Sequence, residues 1–269
     1  MILRISLSIV ALVPFCFSCR GLSPDAKPSG SLSVLTYNIH HGAGVDGKLD
    51  LERIARVIER SGADLIALQE VDRVVKRTGN VDQLQVLAGL TRMHPAFARF
   101  MKYGGGEYGL AILSRLPIES IRRIRLPPGK AEPRSALAIR VDHPRLGSIT
   151  FVCLHLDWLD DDTQRYAQAQ ALLAAIEEPT GIVILAGDFN DRPGSRTIRL
   201  MEQSFSNAAK PEKAHWTFPA PEPDHEIDFV MHRPMDRLES RARVLDERVA
   251  SDHRPVLAEI RRDRHQGSR

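Results

Sequence analysis

The 269-residue chain is poor in cysteine, with three in all, and two of these, Cys16 and Cys19, sit near its start. Only Cys153 remains in the body, so no disulfide forms within it unless Cys19 survives unmodified. Cys153, set in Phe151-Val152-Cys153-Leu154, reads as a small buried hydrophobe rather than a nucleophile. The N-terminal apolar stretch, Ile5 to Phe17, has only 13 residues, against about 20 needed to span a bilayer. From residue 31 onward there is no internal repeat and no low-complexity linker. No His/Cys cluster has zinc-ligand spacing, which argues against a zinc site; the neighbouring His40 and His41 are not a natural chelate on a strand, where neighbours alternate sides.

Net charge is scarce as well. The formal charge is +3 and the sequence pI about 8.9, which by itself suggests a nucleic-acid partner. The last nine residues carry Arg261, Arg262, Arg264 and Arg269 against Asp263, and this surplus equals the whole formal charge. The body is neutral and holds no dense basic run. The nearest approach is Arg122-Arg123 with Arg125, which alternates with isoleucines. A basic track favours nuclease action, so its absence weakens that reading.

The 43% hydrophobic and 26% charged composition is that of a globular protein. Arg4 followed by the short apolar stretch has the form of a signal peptide, so residues 1–19 are expected to be one. Ser18-Cys19 loosely resembles a lipoprotein cleavage box, which leaves lipidation of Cys19 open beside ordinary cleavage. Residues 20–30, rich in Gly, Ser and Pro, are expected to be a flexible tether. An extracytoplasmic location follows, whether secreted, periplasmic or lipid-anchored, with a membrane contact through the anchor. Residues 263–269 are expected to be a basic tail.

Between them, residues 31–262 alternate strand and helix patterns and predict one α/β domain. Strands are expected at 32–37, 64–69, 110–113, 118–124, 136–141, 149–156, 182–186, 227–231, 241–245 and 256–260. Leu51, Ile54, Ala55 and Ile58 define one face of a helix with Asp50 as its N-cap. A second helix is expected over 81–90. A third, over 163–176, has Tyr166, Ala169, Leu172, Leu173 and Ile176 on its apolar face.

Polar residues gather where these strands end, which is where an open α/β sheet collects its site. Six segments carry them: Tyr37-Asn38-Ile39-His40, Leu68-Gln69-Glu70-Val71, Leu154-His155-Leu156-Asp157, Gly187-Asp188-Phe189-Asn190, Glu226-Ile227-Asp228-Phe229, and Ser251-Asp252-His253-Arg254-Pro255. Each alone has a plainer reading as a helix cap or an ion pair. Six in fixed order are hard to dismiss as coincidence.

That order resembles the endonuclease/exonuclease/phosphatase superfamily of metal-dependent phosphoesterases, over nearly the whole chain after the tether. The resemblance implies a four-layer α/β/β/α sandwich of two stacked mixed sheets with helices on both outer faces. It implies Glu70 as a metal ligand, with Asn38 and Asp252 near it, and Mg²⁺ as the ion, Mn²⁺ fitting the same hard oxygens. It implies that Asp188 orients or deprotonates the attacking water and that Asn190 donates to a phosphate oxygen. His253, oriented by Asp228, contacts the phosphate. His155 bonds the phosphate or assists the leaving oxygen. Arg134, Tyr108 and Trp216 are candidates for substrate contact, each against a plainer alternative: a surface ion pair with Glu132, packing on the sheet, and an aromatic anchor for the loop.

His155 makes the chain look more like sphingomyelinases, pancreatic-type DNases, inositol-phosphate phosphatases and a domain linked to GPI-anchor remodelling than like abasic-site endonucleases. The bacterial relatives of that last domain are the nearest in pattern, through Asp64 to Asp72, Gly105 to Gly109 and Leu113 to Pro117. The expectation is an exported phosphodiesterase or phosphatase acting, as a monomer, on a small or lipid-linked phosphoester. A secreted nuclease acting on DNA or RNA is one alternative. A non-catalytic binder of phosphate ligands is another.

Overall fold

The computed structural model describes residues 30–130, 132–176 and 181–263. The signal peptide, nearly all of the tether and all but Asp263 of the basic tail lie outside the described residues. Twelve strands form two six-stranded sheets. The first contains β1 (Leu32–Asn38), β2 (Leu65–Arg73), β3 (His94–Tyr103), β4 (Gly106–Ser114), β11 (Leu238–Val244) and β12 (Val256–Arg262), in the order β11-β12-β1-β2-β4-β3. The second contains β5 (Ser120–Arg125), β6 (Ser135–His143), β7 (Gly147–His155), β8 (Ile182–Asp188), β9 (Ser206–Asn207) and β10 (Asp228–Arg233), in the order β5-β6-β7-β8-β10-β9. The helices are α1 (Leu51–Ser61), α2 (Gln83–Thr91), α3 (Thr163–Ala175) and α4 (Arg196–Glu202).

Three apolar cores show the layering. The central one joins the facing sides of the sheets through Val34, Ala67 and Ile112 from the first and Leu137, Phe151, Ile184 and Val230 from the second. A second core seats α1 and α2 on the outer face of the first sheet through Ile54, Ile58, Leu84 and Leu87 against Leu35, Ile66 and Leu113. A third seats α3 and α4 on the second sheet through Ala169, Leu172, Ile198 and Met201 against Leu154, Leu185 and Phe229. This is the expected α/β/β/α sandwich. Strands β1, β2, β7 and β8 are covered on both faces and are almost wholly buried, as continuous apolar runs require.

Asp50 caps α1 by accepting from the Arg53 N–H at 2.8 Å. The short α2 is capped by Asp82, which accepts from Gln85 N–H. Helix α3 buries its expected face at Ala169, Leu172 and Ile176, with Leu173 partly buried against the same core, but not at Tyr166. It buries Arg165 and Gln168 together with Ala169 and Leu172, while Tyr166 lies half-exposed under the Arg196 guanidinium. The two polar residues hold the loop after β7. Arg165 pairs with Asp191 at 3.0 Å and donates to the carbonyls of Asp157 and Leu159, while Gln168 accepts from Asp157 N–H. Strands β3 and β9 and helix α4 go beyond the predicted elements. Among the described residues no helix is long and apolar enough to cross a membrane.

Candidate active site

β1 and β2 run parallel, as do β7 and β8, while β12 and β10 run against them. The six polar segments are thereby brought to one end of the sandwich. Asp188 ends β8. Its register partners are His155 on one side and Asp228 on the other, so three of the expected residues are neighbours across one sheet. The other sheet supplies Asn38 and Glu70.

Glu70 reaches the cleft through a defect in the ladder. The pairing of β2 with β4 shifts register between Leu68 and Val71, and Glu70 has φ +61°. Such a bulge re-aims a side chain; an unbroken strand keeps residue 70 on the same face as Leu68, which packs under α1 and α2. His40, His41 and Asn190 also have φ between +43° and +50°, and all four line the cleft. Left-handed backbone at non-glycine residues costs roughly 1–3 kcal/mol each and collects at functional sites.

Asp188 is the hub. Its Oδ2 accepts from Asn38 Nδ2 at 3.2 Å and lies 3.5 Å from His155 Nε2 and 3.7 Å from His253 Nε2. Its Oδ1 accepts from the Asn190 backbone N–H at 2.9 Å. Asn38 Nδ2 also donates to Glu70 Oε1 at 3.1 Å, and its Oδ1 accepts from His40 N–H. Asn38 thus bridges two carboxylates with its N–H groups, and its oxygen is turned away from them. This departs from the expectation of an oxygen ligand: flanked by two carboxylates, the side chain presents its donors. Asn190 Nδ2 donates to Leu156 O, leaving one N–H for a phosphate oxygen.

Burial raises the Asp188 carboxyl to about 7; the His253 charge works against this and that of Asp228 adds to it. His253 is buried, which disfavours its charge, yet Asp228 and Asp188 outweigh burial and raise it to about 10. Its Nδ1–H donates to Asp228 Oδ2 at 3.0 Å. His155 moves the opposite way: burial, then Arg134 and His253, hold it well below the usual imidazole range, so it is neutral at pH 7.

Two groups of residues offer themselves to a cation. Asp188, Asp228 and His253 present ligand atoms within 4.8 Å of one another. There, however, the imidazolium is itself the counter-ion of both carboxylates. Glu70 and Asp252 both face the cleft, and among the described residues no lysine or arginine pairs with either. Uncompensated hard oxygens on a wall of the cleft fit a hard divalent cation, so the residues present are compatible with the ion the sequence implies.

The cleft encloses about 1040 Å³. Tyr108 and Arg134 line it, as expected. Arg134 does pair with Glu132 at 3.3 Å, but not at the surface: its side chain is 1% exposed, and its Nε and Nη1 lack hydrogen-bond partners. Tyr108 also packs edge-on against Phe100, so it both lines the cleft and packs on the sheet. Trp216 is a correction. It is 48% exposed, stacks on His215 and does not line the cleft. Phe218, two residues on, takes that place, its ring 4.8 Å from that of His253. Arg77, His41, Arg192 and His225 also line the cleft and were not read from the sequence as site residues. His41 and Arg77 sit in three-residue 3₁₀ turns, and Arg192 and His225 on loops, where no periodicity marks them.

Cys153 is buried between the sheets, accepts from Gln69 Nε2 at 3.3 Å, and burial pushes its thiol up. It is structural, as read.

The chain is 30% identical over 259 residues to the uncharacterised protein YbhP of Escherichia coli K12, covering 88% of this chain and 99% of that one. A crystal structure of an endonuclease/exonuclease/phosphatase from Beutenbergia cavernae superposes with a TM-score of 0.73 at 26% identity, over 87% of this chain and 72% of that one. A mannosyl-6-phosphatase of Bacteroides thetaiotaomicron shares the fold with a TM-score of 0.66 at 18% identity, over 85% and 99% of the two chains. The family model matches residues 35–253; with five of the six polar segments wholly inside that match, the sixth inside it through His253, and all converging on one cleft, the chain belongs to the endonuclease/exonuclease/phosphatase family.

Proposed function

We propose that the chain is an exported, Mg²⁺-dependent hydrolase of a phosphate ester, acting by in-line attack of water on phosphorus. The observation that carries this is the hub at Asp188: one buried carboxylate, raised to about 7, bonded to an asparagine that also holds Glu70 and set beside two histidines whose protonation is pushed in opposite directions. Phosphoryl transfer is chiefly positioning and charge stabilisation, and these groups supply both. Asp188 takes a proton from water. His253, cationic and held by Asp228, meets a phosphate oxygen, as do the free N–H of Asn190 and the Arg134 guanidinium, whose Nε has no partner. Neutral His155 donates a hydrogen bond. Glu70 and Asp252 would hold the cation, which when bound polarises the phosphate.

The neutral body and the N-terminal apolar segment support a small or lipid-linked phosphoester met outside the cytoplasm, by a monomer tethered at residues 20–30. The test is hydrolysis by the purified mature protein of bis-p-nitrophenyl phosphate, plasmid DNA, sphingomyelin and inositol phosphates, with Mg²⁺ or Mn²⁺ and with EDTA. EDTA-sensitive turnover of a small or lipid substrate supports the reading. Rapid plasmid nicking replaces it with the nuclease, and no turnover of any substrate replaces it with the phosphate binder.

A further inference from the structure

Arg77 lies on the loop between β2 and α2 and faces the cleft. Its guanidinium is unusually well held. Nε and Nη2 donate to the two oxygens of Asp72 at 2.8 and 2.9 Å, and Asp72 is fully buried. The same plane lies over the ring of Tyr103 at 4.7 Å and near that of Tyr108 at 5.1 Å. Thr78 Oγ1 donates to Asp72 as well, at 3.2 Å, fixing the carboxylate. Nη1 is left over, on a side chain 33% exposed. A loop staple needs only the carboxylate; the aromatic seat additionally sets the plane and so aims the remaining edge.

Other donors converge beside it. The Tyr108 hydroxyl has no hydrogen bond among the described residues and lies within the field of Glu70, Glu132, Arg134 and Arg77. His41 Nδ1 is buried without a partner. Burial, then the charges of Arg77 and His40, lower His41 to about 4, so its neutral ring carries one N–H. Arg134, stacked on the same Phe100 that Tyr108 packs against, at 5.2 Å, has an Nε without a partner. The arginines here are matched by Asp72 and Glu132, so the attraction is carried by aimed donors rather than by net charge. Several donors on different planes suit a tetrahedral phosphate better than a planar carboxylate.

We propose that Arg77, with the Tyr108 hydroxyl and His41, binds a second phosphate group of the substrate, one that is not hydrolysed, on the Glu70 side of the cleft. This deepens the phosphoesterase reading and rests on it: Arg134 serves the scissile phosphate and Arg77 its neighbour. The second phosphate is either another substituent of a small bisphosphate or the next linkage of a polynucleotide.

Equilibrium binding tests this without turnover. In an Asp188→Asn background with Mg²⁺, calorimetry compares inositol monophosphate with inositol bisphosphate, and thymidine monophosphate with thymidine bisphosphate. One charge-assisted contact predicts that a bisphosphate binds about tenfold or more tightly than its monophosphate. Arg77→Gln should remove that preference while monophosphate affinity stays within about threefold, as expected for loss of one directed contact. The monophosphate value reports intact folding in the same variant. Arg77→Gln paired with Asp72→Asn, which leaves no buried unpaired charge, should behave alike. A preference in the inositol pair alone identifies a small bisphosphate, and in the thymidine pair alone a polynucleotide. No preference in either pair, or a preference that survives both Arg77 variants, overturns the proposal. If the preference is found while Asp188→Asn still hydrolyses, the Asp188 assignment falls and the Arg77 site stands.

Discussion

Asp228 Oδ2 accepts the Nδ1–H of His253 at 3.0 Å, and both side chains are buried. The pair joins β10 of one sheet to the loop that enters β12 of the other. It fixes the imidazole so that Nε2 points at Asp188, and it supplies much of the charge that keeps the ring cationic. Asp228→Asn keeps the shape and removes the charge. The expected outcome is a fall in kcat of about 10²–10⁴, the range for a misdirected acid–base group, with KM less affected. Steady-state kinetics on a p-nitrophenyl diester measures this.

The pH profile follows from the directions of the shifts. Asp188 acts ionised, and burial raises it to about 7, so activity climbs as pH rises through neutrality. His253 acts protonated, and its two aspartate neighbours raise it to about 10, so activity falls as pH rises beyond that. A cation on Glu70 and Asp252 favours ionised Asp188 and moves the lower limb toward acid. In Asp228→Asn the upper limb moves down. An upper limb left in place in that variant contradicts the assignment.

Glu70 is the expected anchor of the cation. Glu70→Gln should raise the Mg²⁺ concentration giving half-maximal activity by about tenfold or more, as loss of a charged oxygen ligand implies, with little change in thermal midpoint. Titration of activity with Mg²⁺ after EDTA treatment checks this.

Gly187 tests how the strand carries Asp188. A β-carbon there would stand 2.1 Å from Leu154 O and 2.9 Å from Leu154 Cγ, so only glycine allows β7 to approach at this point. Gly187→Ala should destabilise by about 1–3 kcal/mol through overpacking and lower activity by displacing Asp188 from His155. Asp50→Ala, outside the cleft lining, should cost about 1 kcal/mol for the lost cap and leave kcat alone. Urea melts and kinetics on both variants separate the two effects.

The strands that carry the site were legible because they are buried on both faces: Ile182-Val183-Ile184-Leu185-Ala186 leaves little else to read. Strand β3 was not. It is an edge strand whose inward side is Ala96, Ala98 and Phe100, joined by Met101 after a register shift, while Phe97 is partly buried on the other face, so no alternation of polarity appears. Helix α4 has seven residues, too few for a period to show. The expected face of α3 followed hydrophobicity and holds at Ala169, Leu172 and Ile176; hydrophobicity does not show that Arg165 and Gln168 are buried beside it, where their hydrogen bonds hold the loop after β7. The six polar segments could be read from type and order. The bulge at Glu70, the Asn38 bridge and the places of Phe218 and Arg77 depend on contacts between distant parts of the chain, which residue spacing does not encode.

The most direct test of the central claim is hydrolysis of bis-p-nitrophenyl phosphate by the mature protein, its Asp188→Asn variant and its His253→Gln variant, with circular dichroism on each. The account predicts turnover by the parent that EDTA abolishes and Mg²⁺ restores, and loss of most of it in both variants with the fold intact. Turnover indifferent to EDTA, or retained in either folded variant, contradicts it.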